Sequence, residues 1–438
     1  MRNRSAAAAE RTPSGIFARP ESARADSGRA PTRLPAGAVL AAAVFVSIAL
    51  AATGVVRASG RQIIDTGRYQ DYAEAMQSGL VPYRDFDVEY PPGALPVFAL
   101  PALVVSGETT YFWGFASLMA VVGATGMALT AAALRRLGRP PEVRRRVLAL
   151  LALSPLVFGG VLLTRFDLVP AAFVAGATLL LLTGRHRAAS LTLGVGAAVK
   201  LYPLALLPFV AVWTWRRHGR REAVVCSALV VGVVAFAYLP FVLLAPDAVA
   251  ASVWDQISRT LQIESLGAGV LLLLHHAVDL EAVIETSQGS QNLAGGPTAG
   301  VAVALSAAAI AALCWLWIGF VRGEATPERL VRYGAAVLVA LVAFGKVLSP
   351  QFLVWLLFPL ALVARRRGAA AGACFAVAAV ATAVWFPALY FDLSRDRDPF
   401  VASLVVLRGL ALVGALILLV WPSGDARRAR PLPCSPDP

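Results

Sequence analysis

The chain has 438 residues, 58% hydrophobic and 15% charged, with a mean hydropathy of +0.69 and a formal net charge of +13. This composition excludes an ordinary soluble domain, and repeated apolar runs of transmembrane length define a polytopic membrane protein. The positive charge is divided among short blocks, Arg135 to Arg146, Arg216 to Arg221 and Arg365 to Arg367; it offers no continuous surface for a phosphate backbone and excludes a nucleic-acid partner.

Residues 1–35, rich in Arg, Ala, Ser and Pro without periodicity, predict a disordered cytoplasmic tail. The run 36–56 is too long and too deep in the chain for a cleaved signal peptide and reads as an uncleaved anchor. A first outside loop, 57–108, carries seven acids: Asp65, Asp71, Glu74, Asp85, Asp87, Glu89 and Glu108. Within it 65–78 has helical character and YRDFDVEYPPG is extended, because a residue before proline is pushed out of the helical region. Residues 94–106 are apolar but about half the length needed to cross, so they form a re-entrant or interfacial helix capping a cavity. Further spans fall at 109–134, 147–163, 168–183, 188–199, 201–214, 223–245, 298–320, 333–345, 351–364, 369–389 and 401–421, giving about twelve crossings. Both termini and the basic blocks then share one side, the cytoplasmic one. A second outside loop, 246–297, is interrupted by the apolar helix GAGVLLLLHHAVDL, and its stretch 287–296 is mobile. The membrane domain covers 36–421, and 422–438 is a second cytoplasmic tail.

The pairs 188–199/201–214 and 333–345/351–364 are short hairpins that meet at Lys200-x-x-Pro203 and Lys346-x-x-x-Pro350. Of 39 basic residues these two alone are lysine. A broken apex at membrane depth is tolerated only beside protein or a water-filled cavity, and two cations there suggest an anion site; the alternative is snorkelling of each stem to the headgroups. Arg165-Phe166-Asp167 lies in a short outside turn, where its charges either meet substrate or satisfy one another. The seven loop carboxylates can serve as general bases, cation ligands or solvated surface; Asp65, in QIIDTGRYQDY just past the first span and flanked by Ile63, Ile64 and Tyr69, is the one whose partial burial suits a base. The Asp85-Phe86-Asp87 pair projects to one side of an extended backbone; it holds a divalent metal or pairs with Arg84 or Arg68. His275 and His276 donate to a phosphate or satisfy local backbone. Arg408, about 10 Å into the last span, faces the interior or snorkels. Cys226, Cys314, Cys374 and Cys434 fit no metal motif, and none falls in an outside loop, so no disulfide framework is expected.

Asp65 to Tyr69, GLVPYRDFDVEYPPG (79–93), TRFDLVPA (164–171), KLYPL at 200 and KVLSPQFLVW (346–355), in this order and with this spacing of spans over 36–421, resemble the polyprenol-phosphate-sugar-dependent glycosyltransferases of the GT-C superfamily. The specific likeness is to glycosyltransferase family 87, known for α-1,2-mannosyltransferases of lipid-linked mannoside synthesis. The resemblance implies an all-α GT-C-type fold in the plasma membrane and glycolipid biosynthesis for the cell envelope. It implies transfer of a hexosyl, most simply mannosyl, group from a polyprenyl-phosphate donor to a lipid or glycan acceptor on the outer face, with inversion and with neither metal nor cofactor. It makes Asp65 the base. Arg165, Lys200, Lys346 and His276 become candidates for the donor phosphate, and Tyr69, Tyr83, Asp85, Glu89, Tyr90, Asp167, Tyr202 and Gln351 candidates for the substrate pocket. A transporter or flippase of lipid-linked sugars is the alternative suggested by the two similar hairpins, although these share one orientation and no inverted repeat is evident. A non-catalytic partner in envelope assembly is a third.

Overall fold

The structure, a computed structural model, describes residues 36–60, 64–363 and 365–421. The tails expected at 1–35 and 422–438, and Cys434, lie outside these residues. In chain order the helices are α1 (Ala36–Ala58), α2 (Thr66–Gln77), α3 (Leu95–Ala102), α4 (Glu108–Arg136), α5 (Pro141–Leu153), α6 (Pro155–Phe158), α7 (Val161–Thr164), α8 (Leu168–Leu182), α9 (His186–Val199), α10 (Leu207–His218), α11 (Arg220–Leu244), α12 (Pro246–Ser258), α13 (Leu266–Val278), α14 (Thr298–Arg322), α15 (Pro327–Ala343), α16 (Val354–Leu362), α17 (Arg365–Trp385), α18 (Tyr390–Ser394) and α19 (Pro399–Val420). Among the described residues six of these, α1, α4, α11, α14, α17 and α19, are long and apolar enough to cross a membrane. The 23 residues of α1, for example, rise about 35 Å against a hydrocarbon core of about 30 Å. The chain is an all-α polytopic membrane protein.

Helix α8 is apolar all round and buried along most of its length, with Leu168, Ala171, Val174 and Leu181 enclosed, as a helix without a polar face must be. It packs on α4, α9 and α16. Around this centre three helical paths are interrupted, and the interruptions build the site. The expected third span is not one helix: Pro155 and the pair Gly159-Gly160 divide it into α5, α6 and α7. Gly159 adopts a positive φ of 55°, which a side-chain-bearing residue resists. The chain re-enters as α7 and becomes extended at Arg165, φ −125° and ψ 146°. Arg165-Phe166-Asp167 is therefore no surface turn; Arg165 is 6% and Asp167 1% exposed. The second interruption is at Lys200, extended at φ −157° and ψ 130°, followed by a 3-10 turn, Tyr202–Leu206, that starts with Pro203 in its first turn. The third runs from Phe344 to Ser349 and closes with a 3-10 turn, Pro350–Leu353.

The acidic loop is held against these breaks by aromatic packing. Tyr69 stacks on Phe98 at 4.3 Å and meets Tyr90 and Phe166 edge-on, each at 5.8 Å. The stretch expected to be extended instead turns at Tyr83–Asp85, where Tyr83 has φ 66° and its hydroxyl donates to the Tyr90 carbonyl at 2.6 Å. Gly93 of the YPPG segment lies so close to α9 that a Cβ there would come within 2.5 Å of the Ala198 carbonyl carbon and oxygen, two residues before Lys200. Backbone cannot yield as a side-chain tip does. Gly93→Ala is expected to cost about 1–3 kcal/mol as overpacking, read as a lower unfolding midpoint in detergent; an unchanged midpoint would show that the two segments are not in contact.

The second long loop contains α12, α13 and a small antiparallel sheet not anticipated from sequence: β1 (Leu261–Gln262), β2 (Val283–Ser287) and β3 (Ser290–Ala294), in the order β1-β3-β2. The segment 287–296, expected to be mobile, contains β3 in its middle half, with Leu293 paired to Leu261 and Ile284. The two-residue turn Gln288-Gly289 has φ of 50° and 70°, the left-handed pair that matches strand twist in a tight hairpin. Polar composition hid a strand whose polar side chains bond within the hairpin: Asn292 donates to the Ser287 carbonyl and hydroxyl, both at 2.9 Å.

Candidate active site

The three interruptions, the acidic loop and the second loop enclose a cavity of about 390 Å³. Asp65 immediately precedes α2, fixed by Tyr69 one turn later, whose hydroxyl lies 3.5 Å from Asp65 Oδ2. Asp65 and Arg165 form an ion pair across the cavity floor, with side chains 27% and 7% exposed. Beside it Asp167 Oδ1 accepts from Lys200 Nζ at 2.6 Å and from Trp355 Nε1 at 2.5 Å. The Lys200 ammonium also lies over the rings of Phe166, Phe352 and Trp355, at 4.7, 5.1 and 5.2 Å from their centroids. A cation over ring faces in a desolvated setting is attracted to the ring quadrupoles. Tyr202 stacks on Trp355 at 4.1 Å, and its hydroxyl is buried with no hydrogen-bond partner among the described residues.

The opposite wall comes from Glu89, paired to Arg68 at 2.6 Å, and from Arg259, Gln262 and Glu264 of the second loop. Arg259 Nη2 donates to the Ser290 hydroxyl at 2.8 Å and the Gln288 carbonyl at 3.3 Å. Among the described residues no carboxylate pairs with this guanidinium, and its Nε is buried without a partner. Burial lowers its pKa. The hairpin tip roofs this wall: a Cβ on Gly289 would fall 2.6 Å from Glu89 Oε1.

Of the residues singled out from sequence, Asp65, Glu89, Tyr90, Arg165, Lys200, Tyr202 and Gln351 line the cavity, and Asp167 lies directly beneath it. Others do not. Lys346 donates to the Ile257 carbonyl at 2.8 Å; its neighbours Val347, Ser349 and Gln351 line the cavity while its ammonium does not, because the break turns the chain between them. The two lysines therefore do not converge. His276 Nε2 bonds the Arg397 carbonyl at 2.7 Å and His275 Nδ1 the Leu280 carbonyl at 2.7 Å, which is the backbone-satisfying role. Tyr69 and Tyr83 are 1% and 4% exposed and belong to the packing beneath the site. Asp85 is held by Arg84 at 2.8 and 2.9 Å and by the Val81 N–H at 2.7 Å, contacts that bring its carboxyl down to about 2; it is a surface ion pair away from the cavity.

Sequence reasoning missed Arg259 and Glu264. A signal existed for the second: Leu261-Gln262-Ile263-Glu264 alternates, placing Gln262 and Glu264 on one face of an extended segment. For Arg259, at the end of an amphipathic helix, there was none. Arg408 is fully buried, facing the interior.

Helices long and apolar enough to cross a membrane and a charged chamber where three helical paths break define a membrane protein with an enclosed polar site. The chain belongs to glycosyltransferase family 87, whose family model matches residues 89–350. That match holds the RFD, KLYP and KVLSP segments and the second loop, with Asp65 preceding it. The protein is thus a membrane glycosyltransferase. No curated protein matches the chain.

Proposed function

We propose that this glycosyltransferase moves a mannosyl or related hexosyl group from a polyprenyl-phosphate carrier to a hydroxyl of a lipid or glycan acceptor, on the outer face of the plasma membrane, with inversion at the anomeric carbon. The observation that carries the reading is that one cavity joins a carboxylate, Asp65, to the cationic groups Arg165, Lys200 and Arg259. Asp65 takes the acceptor proton as the hydroxyl attacks. The departing phosphate monoester gathers negative charge, which fixed cations in a low-dielectric chamber stabilise without reorganising. Arg259 is the best placed for direct contact, since Arg165 and Lys200 already meet Asp65 and Asp167. A monophosphate asks for less neutralisation than a nucleotide diphosphate, so side-chain cations take the role a metal has elsewhere. The YPP segment and the hairpin tip limit water and hence hydrolysis.

The test is transfer by purified full-length protein from radiolabelled polyprenyl-phosphate-mannose to a membrane lipid extract. Label is expected in a new glycolipid, and Arg259→Gln should raise the donor KM about tenfold or more, the worth of a hydrogen bond to a charged group. A flippase would instead move the donor across vesicles without cleaving it. Absence of labelled product, or an unaltered KM in Arg259→Gln, would remove respectively the donor and the phosphate contact.

A further inference from the structure

Glu264 joins β1 to α13 at the cavity wall and is 2% exposed. Its Oε2 accepts from Gln262 Nε2 at 2.5 Å and from the Ser349 hydroxyl at 3.3 Å. Among the described residues nothing bonds Oε1. From α19, Arg408 reaches the Glu264 carbonyl through Nη2, while its Nε and Nη1 have no hydrogen-bond partner among the described residues. Arg165 from the end of α7, Arg259 from the end of α12 and Tyr390 from α18 are the other charged or titratable groups that face it. Removal from water disfavours the carboxylate more than these cations favour it, and burial pushes the carboxyl up to about 7. A carboxyl in that state holds a proton that the departure of a phosphate can use, and Asp65 cannot supply it while accepting one.

We propose that Glu264 donates a proton to the phosphate as it leaves the sugar. This rests on the donor being a phosphate-linked sugar, as above. In the step, the acceptor oxygen bonds to the anomeric carbon as the bond from that carbon to the phosphate oxygen breaks, its electron pair leaving with the phosphate. The acceptor proton goes to Asp65, and the Glu264 proton goes to the phosphate, which departs as a monoanion. Asp65 then releases its proton to water and Glu264 regains one from water at the cavity mouth, restoring both groups.

The experiment is the pH dependence of kcat for wild type, Glu264→Gln and Glu264→Asp in nanodiscs with polyprenyl-phosphate-mannose and lipid extract. Because the active form is protonated, wild-type kcat should fall as pH rises through about 7. Glu264→Gln should lower kcat by about 10²-fold or more and abolish that alkaline limb, with donor KM little changed. Glu264→Asp should keep a reduced kcat with the limb displaced. A residue that merely braces Arg408 would alter stability and leave the shape of the profile intact. Wild-type rate and profile in Glu264→Gln would overturn the proposal; should that variant fail to fold, the same result in Glu264→Asp would do so. Failure of wild type to transfer from this donor would instead remove the donor reading, and this inference with it.

Discussion

Asp65→Asn is expected to lower kcat by about 10²–10⁴-fold, the usual contribution of a positioned base, while donor binding persists. Asparagine keeps the shape and can still accept from Arg165, but it takes no proton. The exchange also removes the counter-charge of a guanidinium that is 7% exposed, so some stability is lost. The pair opens onto the cavity at Asp65, which at 27% exposed retains solvent, and the loss should fall short of that for a fully enclosed pair. Single-turnover transfer and donor binding, measured on the same preparation, separate the two effects. Normal transfer by Asp65→Asn would rule out the base assignment, and Glu264 would then be the first carboxylate to examine.

The second large effect concerns Asp167 and Lys200. Asp167→Leu should destabilise the protein by about 3–5 kcal/mol, since it strands the Lys200 ammonium and removes the acceptor of Trp355 Nε1. The pair is screened little, with side chains 2% and 17% exposed. Adding Lys200→Met should recover much of that loss, because an apolar replacement of both partners leaves no buried charge. The double variant then isolates function. With Lys200 contributing to phosphate stabilisation, it should fold near the wild-type midpoint yet transfer poorly; wild-type transfer by the double variant would show that Lys200 serves only as the counter-ion of Asp167.

Helix placement was legible from the sequence because bilayer burial writes itself as long apolar runs, as in α1 and α19. Lys200 at a break was legible too, since a lysine and a proline inside an apolar hairpin cannot both fit a continuous helix. The division of 147–163 into three helices was not, because its apolar count satisfies a span while Pro155 and Gly159-Gly160 act on backbone geometry. The same inward turn took Arg165 and Asp167 from an expected rim to the floor. Lys346 looked equivalent to Lys200, but the six residues of irregular chain from Phe344 to Ser349 redirect its side chain, and its ammonium ended on the Ile257 carbonyl. The β-hairpin was hidden since its strands carry polar side chains that bond within the hairpin, which composition reads as solvent-facing.

Arg259 carries five N–H donors, and one nitrogen of the group is tethered to the hairpin at Gln288 and Ser290. The strand pair therefore acts as a gauge, setting where the untethered edge of the guanidinium stands. Lengthening or shortening that turn would slide the charge relative to Asp65 and Lys200 and would reshape the wall that Gly289 and Ser290 form. The reach of this cation is thus set by the length of a hairpin turn rather than by the helix that carries the residue.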